Sequence, residues 1–259
     1  MKYFVIYTYK NQDALNSFHQ ANNHLNISIT PVEAHASNAQ QRQKLITQNI
    51  ITSDNQYSPY ELSLTEAHIS LWKHAVETQQ PITIFESNAV THKDFLSHQQ
   101  RSLLLHPNYE LMIWGYDLNW NLCLKLLPSI PEAIYNFCGN TTQEIDTANN
   151  DLIDVELYQK NIISPQIIKV LSFAGLGCYT ISPKGAEQLL KLTLPIANDI
   201  APSYQDRPHG TNFYAFSPIQ HRSNKSLDIE VNRHLHILNA YISLPMIAVL
   251  PTISTLSST

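Results

Sequence analysis

Short apolar runs alternate with longer amphipathic segments along most of the chain. Runs rich in β-branched and aromatic residues predict buried strands at 3–8, 82–85 and 109–116. A further strand is predicted at 26–34, where Pro31 favours an edge position. The segments between them predict helices at 10–24, 38–50, 63–79, 93–105 and 183–193. This alternation predicts an α/β fold with a mostly parallel sheet flanked by helices.

Start signals place two of these helices. Ser63 and Glu66 have the S-x-x-E spacing of a capping box, which predicts a helix beginning at Ser63. Ser182 followed by Pro183 predicts an N-cap and a first-turn proline for the helix at 183–193.

One polar feature stands at the carboxyl end of a predicted strand, where sheets of this kind bind their ligands, and a pair of glycines stands at the start of another. The polar triplet Glu86-Ser87-Asn88 comes directly after the strand at 82–85. Gly175 and Gly177 come just before an apolar run, and glycines there permit either the close approach of a ligand or a tight turn.

The pattern weakens in two places. Residues 127–150 are rich in Pro, Asn and Thr, which predicts a long loop. Residues 235–250 are apolar but too often interrupted for a transmembrane helix. They predict either a terminal helix docked on the body or a peripheral contact with a membrane. We therefore expect one domain at 1–222 and a C-terminal helical tail at 223–259.

Composition narrows the class of protein. The 259 residues are 43% hydrophobic, which is enough to build a core. The formal net charge of −5 is too small for a disordered polyelectrolyte. With 16 Lys and Arg and no basic stripe, nucleic acid is not an expected partner. The three cysteines are odd in number and widely spaced, and the first apolar run is too short for a signal peptide. Both features favour a cytoplasmic protein.

Three segments together resemble glycosyltransferase family 25, which includes bacterial lipopolysaccharide galactosyltransferases. The first, ELSLTEAHISLWKHAVE at 61–77, matches the family at Glu61, His68 and the Leu-Trp-Lys-x-Ala run. The second is ITIFESNAVTHKDF at 82–95, and the third is GLGCYTISPKGAEQLL at 175–190. The resemblance extends over roughly the first 220 residues. It implies a GT-A-like nucleotide-sugar-binding fold, a UDP-hexose donor with galactose first, and a lipooligosaccharide or other cell-surface glycan as acceptor.

The resemblance also implies a metal site, which this sequence alters. The family's acidic triplet supports Mn²⁺ or Mg²⁺ at the leaving diphosphate, whereas here Glu86 is followed by Ser87 and Asn88. Glu86 and Asn88, with waters and the diphosphate, are expected to hold a weakened metal or to orient the donor without one. The alternative is a catalytically inactive relative that binds a nucleotide or glycan, or that serves as a partner protein. His221 is a candidate for a late metal ligand.

Transfer to an acceptor hydroxyl calls for a general base, usually a carboxylate. Asp199 aligns with a family aspartate and is the first candidate, although such an acid also serves as a helix cap or a solvated charge. Asp117 is the second candidate. No pair of acids is evident at the strand ends, so a glycoside hydrolase is not expected.

The remaining candidates concern the donor. The resemblance places the loop after the first strand, with Thr8, Tyr9 and Lys10, beside the nucleotide, although an ordinary turn explains it equally well. His68 lies on the apolar face of its helix, which favours a core or pocket-edge position over a donor contact. Tyr179 and Lys184 are candidates for the acceptor side or for plain structural roles.

Overall fold

A computed structural model describes residues 1–8, 12–35, 37–118, 121–135, 153–201 and 222–251. The helices in this part of the chain are α1 (Gln12–Ala21), α2 (Ala39–Thr47), α3 (Pro59–Thr78), α4 (Phe95–Leu105), α5 (Val155–Lys160), α6 (Pro183–Thr193) and α7 (Leu227–Asn232). The strands are β1 (Lys2–Thr8), β2 (Ile29–Ala34), β3 (Ile82–Glu86), β4 (Val90–Thr91), β5 (Leu111–Gly115), β6 (Leu122–Lys125), β7 (Ala133–Tyr135), β8 (Gln166–Ser172), β9 (Cys178–Ile181), β10 (Ile200–Ala201), β11 (Arg222–Ser223), β12 (Ala240–Leu244) and β13 (Ala248–Val249).

Nine of the strands form one sheet in the order β2-β1-β3-β9-β5-β12-β8-β6-β7. The fold is therefore α/β, as predicted, and Pro31 lies on an edge strand, as predicted. The sheet is mixed, however. Strands β2, β1 and β3 are parallel to one another, and so are β5 and β12, whereas β9, β8 and β7 run in the opposite direction.

Helices cover the sheet on both faces, and the side chains of β9 show how each face is filled. Tyr179 points to the face covered by α3 and α6, where it packs in the larger apolar core. Thr180 points to the other face, where it accepts a hydrogen bond from the Trp114 indole at 2.7 Å. The apolar core on that face includes residues of α1 and α4. Both faces are thus closed, and the carboxyl ends of β3 and β5 are left as the place for a site.

The helix α3 begins earlier than predicted. Two S-x-x-E spacings follow one another here, at 58–61 and 63–66, and the first is the one used: the Ser58 hydroxyl accepts a hydrogen bond from the Glu61 N–H at 3.1 Å. Pro59 occupies the first turn, which a proline favours because its missing N–H has no helical partner there. Ser63 is buried inside the helix and bonds the Tyr60 carbonyl. The correction places Glu61 in the first helical turn. The start of α6 at Pro183, capped by Ser182, is as predicted.

The C-terminal segment corrects a second prediction. Residues 235–250 do not form a helix, because β12 lies in the middle of the main sheet between β5 and β8, and β13 pairs with β4. The polar residues that interrupt this apolar run are compatible with a strand, and Ser243 is fully buried. No helix among the described residues is long and apolar enough to cross a bilayer. In the predicted loop at 127–150, β7 is a short strand and residues 136–150 lie outside the described ranges.

Candidate functional site

A cavity of about 280 Å³ opens where β3 and β5 end against the first turns of α3. The loop between β8 and β9 and the first turn of α7 complete its wall. Its lining residues are Tyr60, Glu61, Leu64, His68, Glu86, Asp117, Ala174, Gly175, Leu176, Ser226, Leu227 and Asp228. The position agrees with the rule that α/β sheets bind ligands beyond the carboxyl ends of their strands.

Four carboxylates line this cavity, each from a different part of the chain: Glu61, Glu86, Asp117 and Asp228. Burial, followed by the charges of Asp228 and Glu86, raises the pKa of Glu61 to about 7. Like charges therefore act on one another across the cavity. The expectation that the strand ends lack paired acids is wrong, because Glu86 ends β3 and Asp117 follows β5 by two residues.

Backbone hydrogen bonds fix the position of Glu86 at the end of β3. Its N–H donates to the Gly177 carbonyl at 2.8 Å, and its carbonyl accepts from the Ala89 N–H at 2.9 Å. The Ser87 N–H continues the pairing with β1 by donating to the Ile6 carbonyl. The strand thus ends in a tight turn, and of the polar triplet Glu86 is the member that lines the cavity.

The loop at 173–177 ties two of the other acids together. The Asp117 N–H donates to the Ala174 carbonyl at 2.8 Å, and the Gly175 N–H donates to Asp228 Oδ2 at 2.9 Å. Gly175 has a φ of +78°, a backbone conformation that residues other than glycine rarely adopt. Asn232 braces the same loop through both backbone polar groups of Phe173. Asp117 and Asp228 are therefore held by one short segment.

His68 reaches the cavity from the buried face of α3. Its Nε2 lies 3.5 Å from Glu86 Oε1, and its Nδ1 lies 2.8 Å from the Tyr179 hydroxyl. The side chain is 2% exposed. The pocket-edge position expected for His68 is confirmed.

Replacing Glu61 with glutamine is expected to stabilise the fold above about pH 7 and to change little below about pH 4. At low pH the carboxyl is protonated in both folded and unfolded chains. As pH rises from its ordinary pKa near 4.5 to the folded value of about 7, the unfolded chain releases its proton first, so the folded state loses stability. The gain from glutamine is about 1–2 kcal/mol, reduced from the full shift because Glu61 is partly exposed.

Thermal unfolding at several pH values measures this effect. Glu77→Gln, at an exposed position of the same helix, serves as the control and is expected to show no such pH dependence. A stability difference for Glu61→Gln that stays constant with pH would contradict the assigned cause.

The structure separates the predicted site residues into three groups. Those that line the cavity are Glu86, His68, Gly175 and Asp117. Those described but outside its lining are Thr8, Ser87, Asn88, Gly177 and Asp199. Those outside the described ranges are Tyr9, Lys10 and His221. Gly177 still takes part, because its carbonyl fixes Glu86.

Asp199 is engaged in an ion pair. Both of its carboxylate oxygens accept hydrogen bonds from the Arg233 guanidinium, each at 2.9 Å, and its side chain is 48% exposed. Lys184 is likewise paired, with its Nζ 2.7 Å from Glu110 Oε1. Neither residue lines the cavity.

Two acids of the cavity were missed as site residues by sequence reasoning. Glu61 was noted as part of a matching segment, and the Ser58-Pro59 start signal would have placed it in the first turn of a helix. Asp228 follows Ser226, the N-cap of α7, but nothing local indicates which loop that turn faces. Its place in the site depends on the tertiary contact with Gly175.

A second group of possible metal ligands lies elsewhere. Among the described residues, only His92, Asp94 and His98 bring three such atoms within 4.8 Å of one another. His92 Nδ1, however, accepts the Asp94 N–H at 3.1 Å, and its Nε2 lies 2.7 Å from the Asn161 carbonyl. Because hydrogen bonds occupy both ring nitrogens, the group is explained as a structural contact. No three of the cavity acids bring their carboxylate oxygens within 4.8 Å of one another.

Comparison with known protein families identifies a match for most of the chain. A family model described as glycosyltransferase family 25 (LPS biosynthesis protein) matches residues 1–202. No curated protein matches the chain. The match includes all three segments that carry the resemblance, together with Glu61, Glu86 and Asp117 from the cavity, and it ends before Asp228.

Proposed function

Because the chain belongs to glycosyltransferase family 25, a family of lipopolysaccharide biosynthesis, we propose that it transfers a hexose from a UDP-sugar to a lipooligosaccharide or another cell-surface glycan. Galactose is the first candidate for the sugar. The proposed donor site is the acidic cavity at the ends of β3 and β5. The proposal includes a GT-A-like use of the sheet, in which the diphosphate lies beyond the end of β3.

The charge of the cavity carries the proposal. Four carboxylates repel a diphosphate, so a nucleotide donor can bind among them only together with a cation. Carboxylate oxygens are ligands that Mg²⁺ and Mn²⁺ prefer. The chemistry of these side chains therefore suits a divalent cation, with Glu86 as the first ligand and Asp228 or Glu61 as a further one. Because no three of the cavity acids bring their oxygens within 4.8 Å of one another, oxygens of the diphosphate and waters would complete the coordination. When bound, such a cation supplies Lewis-acid stabilisation of the leaving diphosphate.

This arrangement favours an active enzyme over an inactive relative. Ser87 and Asn88 replace two acids in the triplet, but Asp228 and Glu61 bring carboxylates to the same cavity from α7 and α3. A decayed donor site has no need for a partly buried acid whose pKa is raised to about 7 by burial and by its charged neighbours. The cavity thus keeps carboxylates from other elements although the triplet has lost two.

For the general base, the geometry favours Asp117. Its carboxylate lines the cavity, and its backbone is fixed by Ala174. Asp199 lies outside the lining, and hydrogen bonds from the Arg233 guanidinium occupy both of its carboxylate oxygens. We therefore assign the base to Asp117, where it would accept the proton of the acceptor hydroxyl.

Calorimetry with UDP tests the proposal. UDP and UDP-galactose are expected to bind in the presence of Mn²⁺ or Mg²⁺ and to lose most of their affinity when EDTA removes the cation. UMP, which lacks the second phosphate, is the matched ligand and is expected to show little metal dependence. Absence of nucleotide binding under both conditions would sink the transferase proposal. UDP binding of equal strength with and without the cation would remove the proposed role of the acids.

A further inference from the structure

A row of hydrogen-bonding groups runs from the core to the cavity. The Trp72 indole N–H donates to the Tyr179 hydroxyl oxygen at 2.8 Å, and the same oxygen lies 2.8 Å from His68 Nδ1. His68 Nε2 then faces Glu86 Oε1 at 3.5 Å. Trp72 and Tyr179 are fully buried, so bulk solvent does not reach their polar groups.

The number of protons that these groups carry determines which atom donates in each hydrogen bond of the row. An indole N–H can only donate, so it occupies a lone pair of the phenolic oxygen. The phenol has a single proton, and burial keeps it bound, because burial raises the pKa of Tyr179 well above its ordinary value. Among the described contacts of Tyr179, His68 Nδ1 is the acceptor within reach of that proton. Tyr179 therefore donates to Nδ1, and neutral His68 has its own proton on Nε2.

We propose that Tyr179 is a positioning residue: it holds His68 in the Nε2–H tautomer and so presents an N–H donor to the Glu86 carboxylate at the edge of the donor cavity. Trp72 supports it by donating to the phenolic oxygen, so that the single phenolic proton is the one left to bond Nδ1. The inference rests on the proposed function for its purpose, which is the orientation of Glu86. The tautomer itself depends only on the fold.

The distance of 3.5 Å between His68 Nε2 and Glu86 Oε1 determines what the His68 N–H does. It is longer than a good N–H···O hydrogen bond, so Glu86 is oriented without being held tightly. One carboxylate oxygen faces the imidazole, and the other stays available to the cavity. With the opposite tautomer, Nε2 would present a lone pair to a carboxylate, and the two would repel each other. The tautomer of His68 thus decides whether its Nε2 attracts or repels the Glu86 carboxylate.

Nitrogen NMR of histidine-labelled protein without nucleotide or metal tests the inference directly. Long-range ¹⁵N–¹H spectra at a pH where His68 is neutral are expected to show the Nε2–H tautomer, with the signal assigned by its loss in His68→Gln. Tyr179→Phe is expected to shift His68 towards a mixture of tautomers. Tyr116→Phe, which also removes the hydroxyl of a fully buried tyrosine, is the control and is expected to leave the His68 signal unchanged.

The kinetic expectation separates positioning from stability. Tyr179→Phe is expected to lower kcat by about 10-fold or more, with little change in the KM for UDP-galactose. Losses of this size are usual when a residue that orients a metal-binding group through a hydrogen bond is removed. An Nδ1–H tautomer in the unmodified protein would overturn the inference, whether or not Tyr179→Phe folds. An unchanged tautomer in a folded Tyr179→Phe variant would also overturn it. If the tautomer behaves as expected but no sugar is transferred, the proposed function fails and the positioning of His68 stands.

Discussion

Glu86→Gln is expected to lower kcat/KM for sugar transfer by about 10²–10³-fold, in the range seen when one charge-stabilising group is removed from an active site. The substitution keeps the size of the side chain but removes the negative charge at the end of β3 that the proposed cation needs. The metal-dependent part of UDP binding should fall with it. Steady-state kinetics with UDP-galactose and calorimetry with UDP, each over a series of Mn²⁺ concentrations, measure both effects.

Glu77→Gln is the matched control, because it makes the same chemical change on an exposed turn of α3. It should leave both kinetics and binding unchanged. If Glu86→Gln keeps full activity at low Mn²⁺ concentration, the remaining acids of the cavity hold the cation without Glu86, and its assignment as first ligand is wrong.

Asp117→Asn is expected to reduce kcat by about 10²–10⁴-fold, the usual contribution of general base catalysis, while UDP affinity stays within a few-fold. An amide cannot accept the proton of the acceptor hydroxyl, but it keeps an oxygen that can still face the cation. The hydrogen bond from the Asp117 N–H to the Ala174 carbonyl involves only backbone, so the loop should be retained. Single-turnover rates and calorimetry distinguish the loss of chemistry from a loss of binding.

Asp199→Asn provides the comparison, because it tests the base that the sequence favoured first. Loss of its charge breaks the paired hydrogen bonds with Arg233, a half-exposed contact whose removal should cost about 1 kcal/mol or less of stability. Turnover is expected to remain. A large loss of turnover in Asp199→Asn, with little loss in Asp117→Asn, would reverse the two assignments.

Local signals predicted the parts of the fold that local interactions determine. The Ser182-Pro183 start fixed α6, and the apolar run at 82–85 fixed β3. The start of α3 was misplaced because Ser58 and Ser63 both have a glutamate three residues later, and only the proline after Ser58 distinguishes them. The strand β12 was missed because its register depends on the partners β5 and β8, which are distant in sequence.

The site was predictable to a similar extent. Glu86 was identified because it directly follows an apolar strand. Asp117 was named only as the second candidate for the base, and the structure places it two residues after β5. The sequence suggested a donor site that is poor in acids, since Ser87 and Asn88 stand in the triplet. The structure instead assembles acids from separate elements. This assembly depends on the loop at 173–177 and its contact with Asp228, which no local pattern encodes.

The position of β12 determines how late the main sheet can be completed while the chain is being synthesised. Strands β5 and β8 leave the ribosome well before the strand that lies between them, so each must wait with one edge unpaired. The acid of α7 is also made late, after every other carboxylate of the cavity. A fragment that stops at residue 202 would contain the matched family segments but neither the closing strand nor Asp228. Nascent chains of that length should therefore expose unpaired edges of β5 and β8, and the proposed donor site should be complete only once α7 and β12 have been made.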